Sequence, residues 1–420
     1  MYREIKIIIT LLLSATVALI IYFNCGLFYS PVMVSRDSGL IMNRDLFEQL
    51  QFLKARMQRG AATEMQKIYP EGYLFMQALY GLAWCDVAMA SMQDSLLYHE
   101  ALDEIDWASW STRTLEGKQV FDESLPLSYG AFYRGWSNYL LGRKLEVEGD
   151  HRDDADVTYF LGECKSIAAF FEASYTPYPE SYRESAWPAD AVMCAASLAV
   201  HDRIFQARYT DVLRRWVEMV KLSVDSIGLV PHSVLPSNGA VKEGSRGSSQ
   251  SLMLSFLFEV DSAFARDQFT LFKKHFLDER FGLHGVREYP MGSYGYGDID
   301  SGPVLFQIGA ASSIVGIRAL QTYGERRYSV LLRNEVEAFG FPIRQNGMKM
   351  FVFGKLPIAD AFITWANSQS VLSGLTSQPD NGGFIRFHLY SVVIIFIYIG
   401  ALLFVWRKRK PVISNLRVSE

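Results

Sequence analysis

The stretch Gly295-Tyr296-Gly297-Asp298-Ile299-Asp300-Ser301-Gly302-Pro303 sets two carboxylates two residues apart behind a run of glycines. A long apolar run, residues 304–320, follows. Carboxylates held in unlike environments have split pKa values, and one then serves as acid while the other serves as base. The spacing also predicts an acidic loop feeding a helix, with Asp300 or Ser301 as N-cap and Pro303 in the first turn. By that reading Asp298 and Asp300 do no more than cap.

Whether these carboxylates meet others depends on the elements around them. Apolar residues recur at helical spacing in twelve segments. These fall near 40–58, 71–91, 94–112, 129–147, 154–174, 188–205, 208–224, 248–262, 264–279, 301–323, 325–339 and 357–370. Alternation of strand type is confined to 348–354. The even-numbered segments, such as the sixth with Ala-Val-Met-Cys-Ala-Ala-Ser-Leu-Ala-Val, are small, apolar and nearly uncharged on all sides. The odd-numbered ones carry charge on one face. Inner helices buried all round and outer helices half-exposed explain the alternation. Twelve such helices make six hairpins, and the expected fold is an all-α (α/α)6 toroid. Asp225–Val234 and Asp278–Pro290 echo each other, each ending an outer helix with a Gly-Leu turn and a long loop before the next inner helix.

In such a ring the inner helices run the same way and their N-termini share one rim. Glu71 and Tyr73 open the second segment, and Tyr129 the fourth. Trp187 and Asp190 open the sixth, Arg246 and Gln250 the eighth, and Asp298 and Asp300 the tenth. The preceding loops add His232, Arg287, Glu288, Tyr289 and Tyr296. Asp190, Asp298, Asp300 and Glu288 are the candidate acids and bases. Arg246 and Arg287 suit anionic groups, since a guanidinium grips a carboxylate with two parallel bonds. Trp187, Tyr289, Tyr296, Tyr73 and Tyr129 suit stacking on sugar rings, and Glu71, Gln250 and His232 suit polar contacts. Plainer roles stand beside these. Pro188 fits a first turn, Asp190 a helix dipole, Ser248 and Ser249 ordinary caps, Arg246 a surface pair with Glu243, and His201 and His275 solvated helix faces.

The helical count, the alternation and the segments Ala186–Asp190, Arg246–Ser251, Gly285–Pro290 and Gly297–Pro303 resemble the six-hairpin (α/α)6 toroid superfamily. That superfamily includes glycoside hydrolases, polysaccharide lyases and epimerases. The resemblance covers residues 40–370. It implies a groove across the inner-helix N-termini with an acidic acid/base pair, and it leaves the reaction open. The linalool dehydratase/isomerase group is similar in fold but uses cysteine and histidine. Here Cys85 and Cys194 lie inside helical segments rather than at their openings.

The ends suggest a compartment. An apolar stretch at 5–23 has Arg3 and Lys6 at its edge, and 387–406 is followed by Arg407-Lys408-Arg409-Lys410. Each approaches the ~20 residues needed to cross a bilayer. Basic flanks mark cytoplasmic ends. The expected organisation is an N-terminal anchor at 1–24, an extracytoplasmic domain at 25–385, a second span with its basic flank at 386–410 and a cytoplasmic tail at 411–420. A cleaved signal peptide lacks a small-residue site here. Half of the 420 residues are hydrophobic, and the net charge of −4 gives no indication of nucleic acid. Four cysteines without a CxxC pair, and seven scattered histidines, point to no metal site or cofactor. A Cys164–Cys194 bridge is sterically conceivable and not favoured. The expected function is a membrane-tethered carbohydrate-active enzyme resembling the glycoside hydrolases, with a glycan or other small molecule as substrate. A non-catalytic envelope module binding glycan or protein, and a lyase or dehydratase, are the alternatives.

Overall fold

Aspartate and asparagine begin several helices by accepting first-turn N–H groups. Asn43 caps α2 (Arg44–Met57), Asp94 caps α5 (Ser95–Thr112), Asp153 caps α8 (Asp154–Ala173) and Asp261 caps α12 (Ser262–Phe276). A second set has no side-chain cap: α4 (Gly72–Ala90), α7 (Gly130–Glu148), α9 (Pro188–Ile204), α11 (Gly247–Val260) and α13 (Ala310–Thr322). The computed structural model describes residues 2–372 and 382–407. Its other helices are α1 (Tyr2–Gly26), the short α3 (Ala61–Gln66) and α6 (Leu115–Lys118), α10 (Thr210–Lys221), α14 (Arg326–Phe339), α15 (Pro357–Leu372) and α16 (Ile385–Trp406).

The five helices of this second set are the most buried, although the outer helices α10 and α14 also lack side-chain caps. In α4 every residue from Met76 to Ala88 is buried, and in α9 every residue from Asp190 to His201. α4 packs on α7, α7 on α9, α9 on α11, α11 on α13, α13 on α15 and α15 on α4, so the succession returns to its start. Glycines permit the close approach. A Cβ on Gly135 of α7 would stand 2.7 Å from the Cβ of Met193, and one on Gly142 would stand 2.9 Å from Val200. Outer helices cover this set, with α5 on α4 and α7, α8 on α7 and α9, α12 on α11, and α14 on α13.

Aromatic side chains meet between these buried helices. Phe75 of α4 meets Trp136 of α7 edge-on at 5.2 Å, and Trp136 meets Phe256 of α11 at 5.7 Å. Phe256 stacks on Trp365 of α15 at 5.5 Å. Below this layer the C-terminal halves of the same helices are joined by ion pairs. Arg318 of α13 donates to Asp86 of α4 at 2.7 Å and to the Trp365 carbonyl at 2.9 Å. Arg143 of α7 pairs with Asp86 at 3.7 Å and Glu146 at 2.7 Å. Arg203 at the end of α9 joins Glu146 at 2.6 Å to Glu259 of α11 at 2.7 Å. Arginine at a helix C-terminus also meets the negative end of the dipole.

Among the described residues, five two-stranded antiparallel hairpins interrupt the helices. They are β1 (Met33–Ser35) with β2 (Ile41–Asn43), β3 (Ser233–Val234) with β4 (Val241–Glu243), and β5 (Leu277–Arg280) with β6 (Leu283–Val286). The remaining two are β7 (Val304–Leu305) with β8 (Ile308–Gly309), and β9 (Ile343–Gln345) with β10 (Met348–Met350). This corrects the reading of strand at 348–354 alone. The two echoing loops, after Asp225 and after Asp278, both become hairpins, with Gly228 at φ 83° and Gly282 at φ 80°.

The largest correction concerns 301–309. The helix starts at Ala310, and Asp300 and Ser301 do not cap it. Phe306 and Gln307 both adopt positive φ, which closes a tight β7–β8 turn. The first helical N–H groups of α13 go to neighbouring carbonyls instead, Ala310 to Pro303 at 3.0 Å and Ala311 to Ser301 at 3.2 Å. The apolar run from Val304 looked helical because a short hairpin and a helix both bury apolar residues. His201 is also corrected: it is buried, not solvated, with Asp202 on its Nδ1 at 2.9 Å and Tyr209 edge-on at 4.6 Å. All four cysteines are free thiols. Among the described residues, α1 and α16 are the two helices long and apolar enough to cross a membrane. The sequence readings for 373–381 and for 408–420, including three of the four basic residues after α16, lie outside the described residues.

Arg318→Ala would leave Asp86 buried with its main cation gone. The expected loss of unfolding free energy is ~3–5 kcal/mol, read from denaturant titration of the purified chain. A change below ~1 kcal/mol would show that this ion pair does not hold the buried helices together.

Candidate functional site

The uncapped N-termini gather opposite the ion-pair end, and neighbouring loops supply the missing acceptors. Ala131 of α7 donates to the Glu180 carbonyl at 2.8 Å, and Gly247 of α11 donates to the Glu288 carbonyl at 2.9 Å. A Cβ on Gly247 would stand 1.8 Å from the Arg287 oxygen, so only glycine admits this contact. The loops that cap the helices are therefore the loops that carry the polar residues.

Three carboxylates from three elements share the surroundings of one hydroxyl. Tyr182, in the loop before α9, donates to Glu71 at the start of α4. Burial, then the charges of Glu71, Asp190 and Asp300, raise the Tyr182 pKa. Asp190 stands in the first turn of α9, 5% exposed. The Ser181 hydroxyl donates to it. Burial, with the charge of Glu71 adding, lifts the Asp190 carboxyl to about 7, against the bond from Ser181. The α9 dipole favours ionisation, as does that bond, and burial outweighs both.

Asp300 is accessible to water, and its carboxyl is lifted to about 6 by desolvation, then by the charges of Glu71 and Asp298. Asp300 thus combines contact with water and partial desolvation by the protein around it. Asp298, two residues away, behaves in the opposite way. Burial raises its pKa, but the bond from Arg246 and the Ser301 N–H outweigh burial and hold it at about 2. Its Oδ1 accepts the N–H groups of Asp300 at 3.1 Å and Ser301 at 2.9 Å, forming a turn that aims Asp300.

Arg246 is buried and doubly paired. Its Nε donates to Glu288 at 2.8 Å and its Nη1 to Asp298 at 2.5 Å. Glu243, expected as its surface partner, stands at 3.7 Å. The guanidinium also lies 5.5 Å over the Tyr289 ring. Glu288 is fully buried and accepts from the Ser248 hydroxyl at 2.7 Å. Burial raises its pKa, against Arg246 and Ser248. His232 lies beside this group, with Ser249 on its Nδ1. Burial, then the Arg246 charge, lower its pKa to about 4, so it is neutral at pH 7.

The remaining sequence candidates divide. Trp187 is half-buried and meets Tyr182 edge-on at 5.7 Å. Tyr73 is half-buried at the start of α4. Tyr129, at φ 68°, lies under Lys118 at 5.0 Å. Tyr296 is 99% exposed. Arg287 and Gln250 are occupied within the protein. Arg287 donates to the Tyr289 carbonyl, Asp278 and the Ser293 carbonyl, each within 3.0 Å. Gln250 donates to the Val230 carbonyl at 2.6 Å. Both position loops.

Sequence reasoning missed Tyr182 and Ser181, and it took Ser248 for an ordinary cap. The rule that found Trp187 and Asp190, inspection of residues just before an inner helix, would have reached Ser181 and Tyr182 had it extended six residues further back. A separate concavity between α5 and α8 is lined by Trp107, Trp110 and Asp156, but its one buried cation, Lys144, is paired with Asp156, Glu148 and Asp106 within 3.0 Å. No protein-family model matches the sequence, and no curated protein matches it.

The raised Asp190 pKa has a thermodynamic consequence. The folded state holds a proton near pH 4–7 that the unfolded state releases, so this contribution to stability is present below about 4 and lost as pH rises through about 7. Asp190→Asn is expected to remove that decline. Denaturant unfolding of wild type and variant across pH 4–8 measures it, and parallel curves would contradict the assignment.

Proposed function

We propose that residues 25–385 form an extracytoplasmic (α/α)6 toroid, tethered by α1 and α16 as membrane spans with both termini cytoplasmic, and that its inner-helix rim is the active site of a carbohydrate-active enzyme of glycoside hydrolase type. The observation that carries this reading is the convergence of Glu71, Asp190 and Asp300 from three elements around Tyr182. The closed succession of six buried helices supports the ring. The length and apolarity of α1 and α16 support the tether.

In this reading Asp190 is the acid. Buried and protonated near neutrality, it gives its proton to the leaving glycosidic oxygen. Asp300 is the base or nucleophile, ionised above about 6 and reachable from the cleft. A separation of roughly 5–5.5 Å between the two carboxyl groups corresponds to retention, and roughly 6.5–9.5 Å to inversion. Arg246, neutralised by Glu288 and Asp298, positions the turn that carries Asp300 rather than binding an anion. Trp187 and Tyr73 offer half-exposed faces to a sugar ring. A cysteine-based dehydratase is disfavoured, since burial raises the thiol pKa of both Cys85 and Cys194.

Asp190→Asn and Asp300→Asn are each expected to lower turnover of envelope glycans by ~10²–10⁴-fold with folding intact, measured as released reducing ends. Wild-type rates in both variants would refute the assignment. Undiminished glycan binding with no turnover in wild type would favour a binding module instead.

The proposed roles also set a pH profile. Activity requires Asp300 ionised and Asp190 protonated, so kcat/KM is expected to be bell-shaped with limbs near 6 and 7. A flat profile from pH 5 to 8 would exclude this pair as acid and base.

A further inference from the structure

Bulky apolar residues occupy turn positions where small or polar residues are the usual choice. Phe281, Phe306, Val352 and Phe353 all adopt positive φ, at 56°, 51°, 47° and 56°. For side chains of this size that backbone conformation is unfavourable, and glycine or asparagine would relieve it. All four are exposed, Phe306 at 69% and Phe281 at 58%. Leu305, beside Phe306 in β7, is 68% exposed. Neither backbone preference nor burial within this chain accounts for them.

Their placement relates them to α1 and α16. These two helices pack on each other. His388 near the start of α16 meets Asn24 near the end of α1 at 2.6 Å, and Trp406 at the other end donates to Thr10 at 2.9 Å. The pair is therefore antiparallel, and both helices enter the domain at one level. The β5–β6 turn reaches that level, since a Cβ on Gly282 would stand 2.5 Å from the Phe387 nitrogen. Phe281 of this turn meets Phe306 of the β7–β8 turn at 5.1 Å. On the other flank, Tyr22 of α1 stacks on Phe341 at 5.8 Å, and Phe341 stacks on Phe353 at 5.7 Å. Tyr22 lies four residues inside the end of α1, so this group sits roughly 6 Å below the point where α1 leaves the span.

α16 has 22 residues, a length of roughly 33 Å, close to the ~30 Å of a hydrocarbon core. With the spans in a bilayer, the exposed turns stand at the height of the headgroup and upper acyl region, where aromatic residues are favoured. We infer that the turns at Phe281, Leu305–Phe306 and Val352–Phe353 form a collar that seats the domain in the outer interface of the lipid bilayer. This rests on the reading of α1 and α16 as spans. The collar also touches the proposed site. The β7–β8 hairpin that presents Leu305 and Phe306 begins directly after the Asp298–Ser301 turn, and its Gln307 carbonyl accepts the Glu288 N–H at 2.9 Å.

Site-directed fluorescence on the full chain tests the collar. In a Cys25→Ser background the buried thiols do not label. Single cysteines at Phe281, Leu305, Phe353, Ile397 and Leu115 would carry an environment-sensitive probe, in vesicles of phosphatidylcholine with a minority of phosphatidylglycerol. Leu305→Cys lies outside the positive-φ turns, so it reports even if the other tip variants misfold. The expected result is blue-shifted emission and loss of quenching by aqueous iodide at 281, 305 and 353, with Leu115 water-like and Ile397 fully protected. Protection at 397 with water-like tips would overturn the collar and leave the spans standing. A water-like signal at 397 would overturn the span reading and the collar with it.

Discussion

Six buried helices that point the same way must satisfy two unlike ends, and the rest of the structure follows from how each end is satisfied. The C-terminal ends expose carbonyls and a negative dipole. There the protein places Arg318, Arg143 and Arg203 and compensates each with Asp86, Glu146 or Glu259. The N-terminal ends expose N–H groups and lack side-chain caps of their own. Loops fold over them to provide carbonyls, and those loops bring Glu71, Tyr182, Glu288 and Asp298 into one place. The aromatic layer through Phe75, Trp136, Phe256 and Trp365 separates the two ends, so the carboxylates above have no access to the arginines below.

Local partners explain why neighbouring carboxylates differ so much. Asp298 has Arg246 and two backbone N–H groups, and remains ionised even in acid. Asp190 has one hydroxyl and a like charge nearby, and ionises only near neutrality. Asp300 shares a backbone turn with Asp298 yet lies on the Glu71 side of it. Two residues of chain thus join an arginine-paired anion to a desolvated acid, a division of labour on which acid–base chemistry depends.

Much of the architecture was legible in the chain. The inner segments Met76–Ala88 and Asp190–His201 are apolar on every face, and burial on every face is what the structure gives them. Outer helices such as α10 and α14 declare themselves by one charged face. Legibility failed where two structures satisfy the same apolar pattern. Val304 to Gly309 is as apolar as a helix start, but the positive φ of Phe306 and Gln307 turns it into a hairpin. It failed again for His201, whose neighbours Phe160 and Tyr209 come from other segments, and for Arg246, whose partner Glu288 lies 42 residues away. Local spacing carries no information on such pairs.

By itself the sequence determined where most of the long helices lie and which of them are buried, because periodicity is a local property, but at 301–309 it misplaced a helix opening. It also determined two apolar stretches of membrane-spanning length. Only the tertiary structure decided that Ser181 and Tyr182 belong with Asp190 and Glu71, that Arg287 and Gln250 are occupied in holding loops, and that the aspartates of one turn ionise far apart. Those outcomes depend on desolvation and on charges brought close across long sequence separations, and chain folding alone sets both.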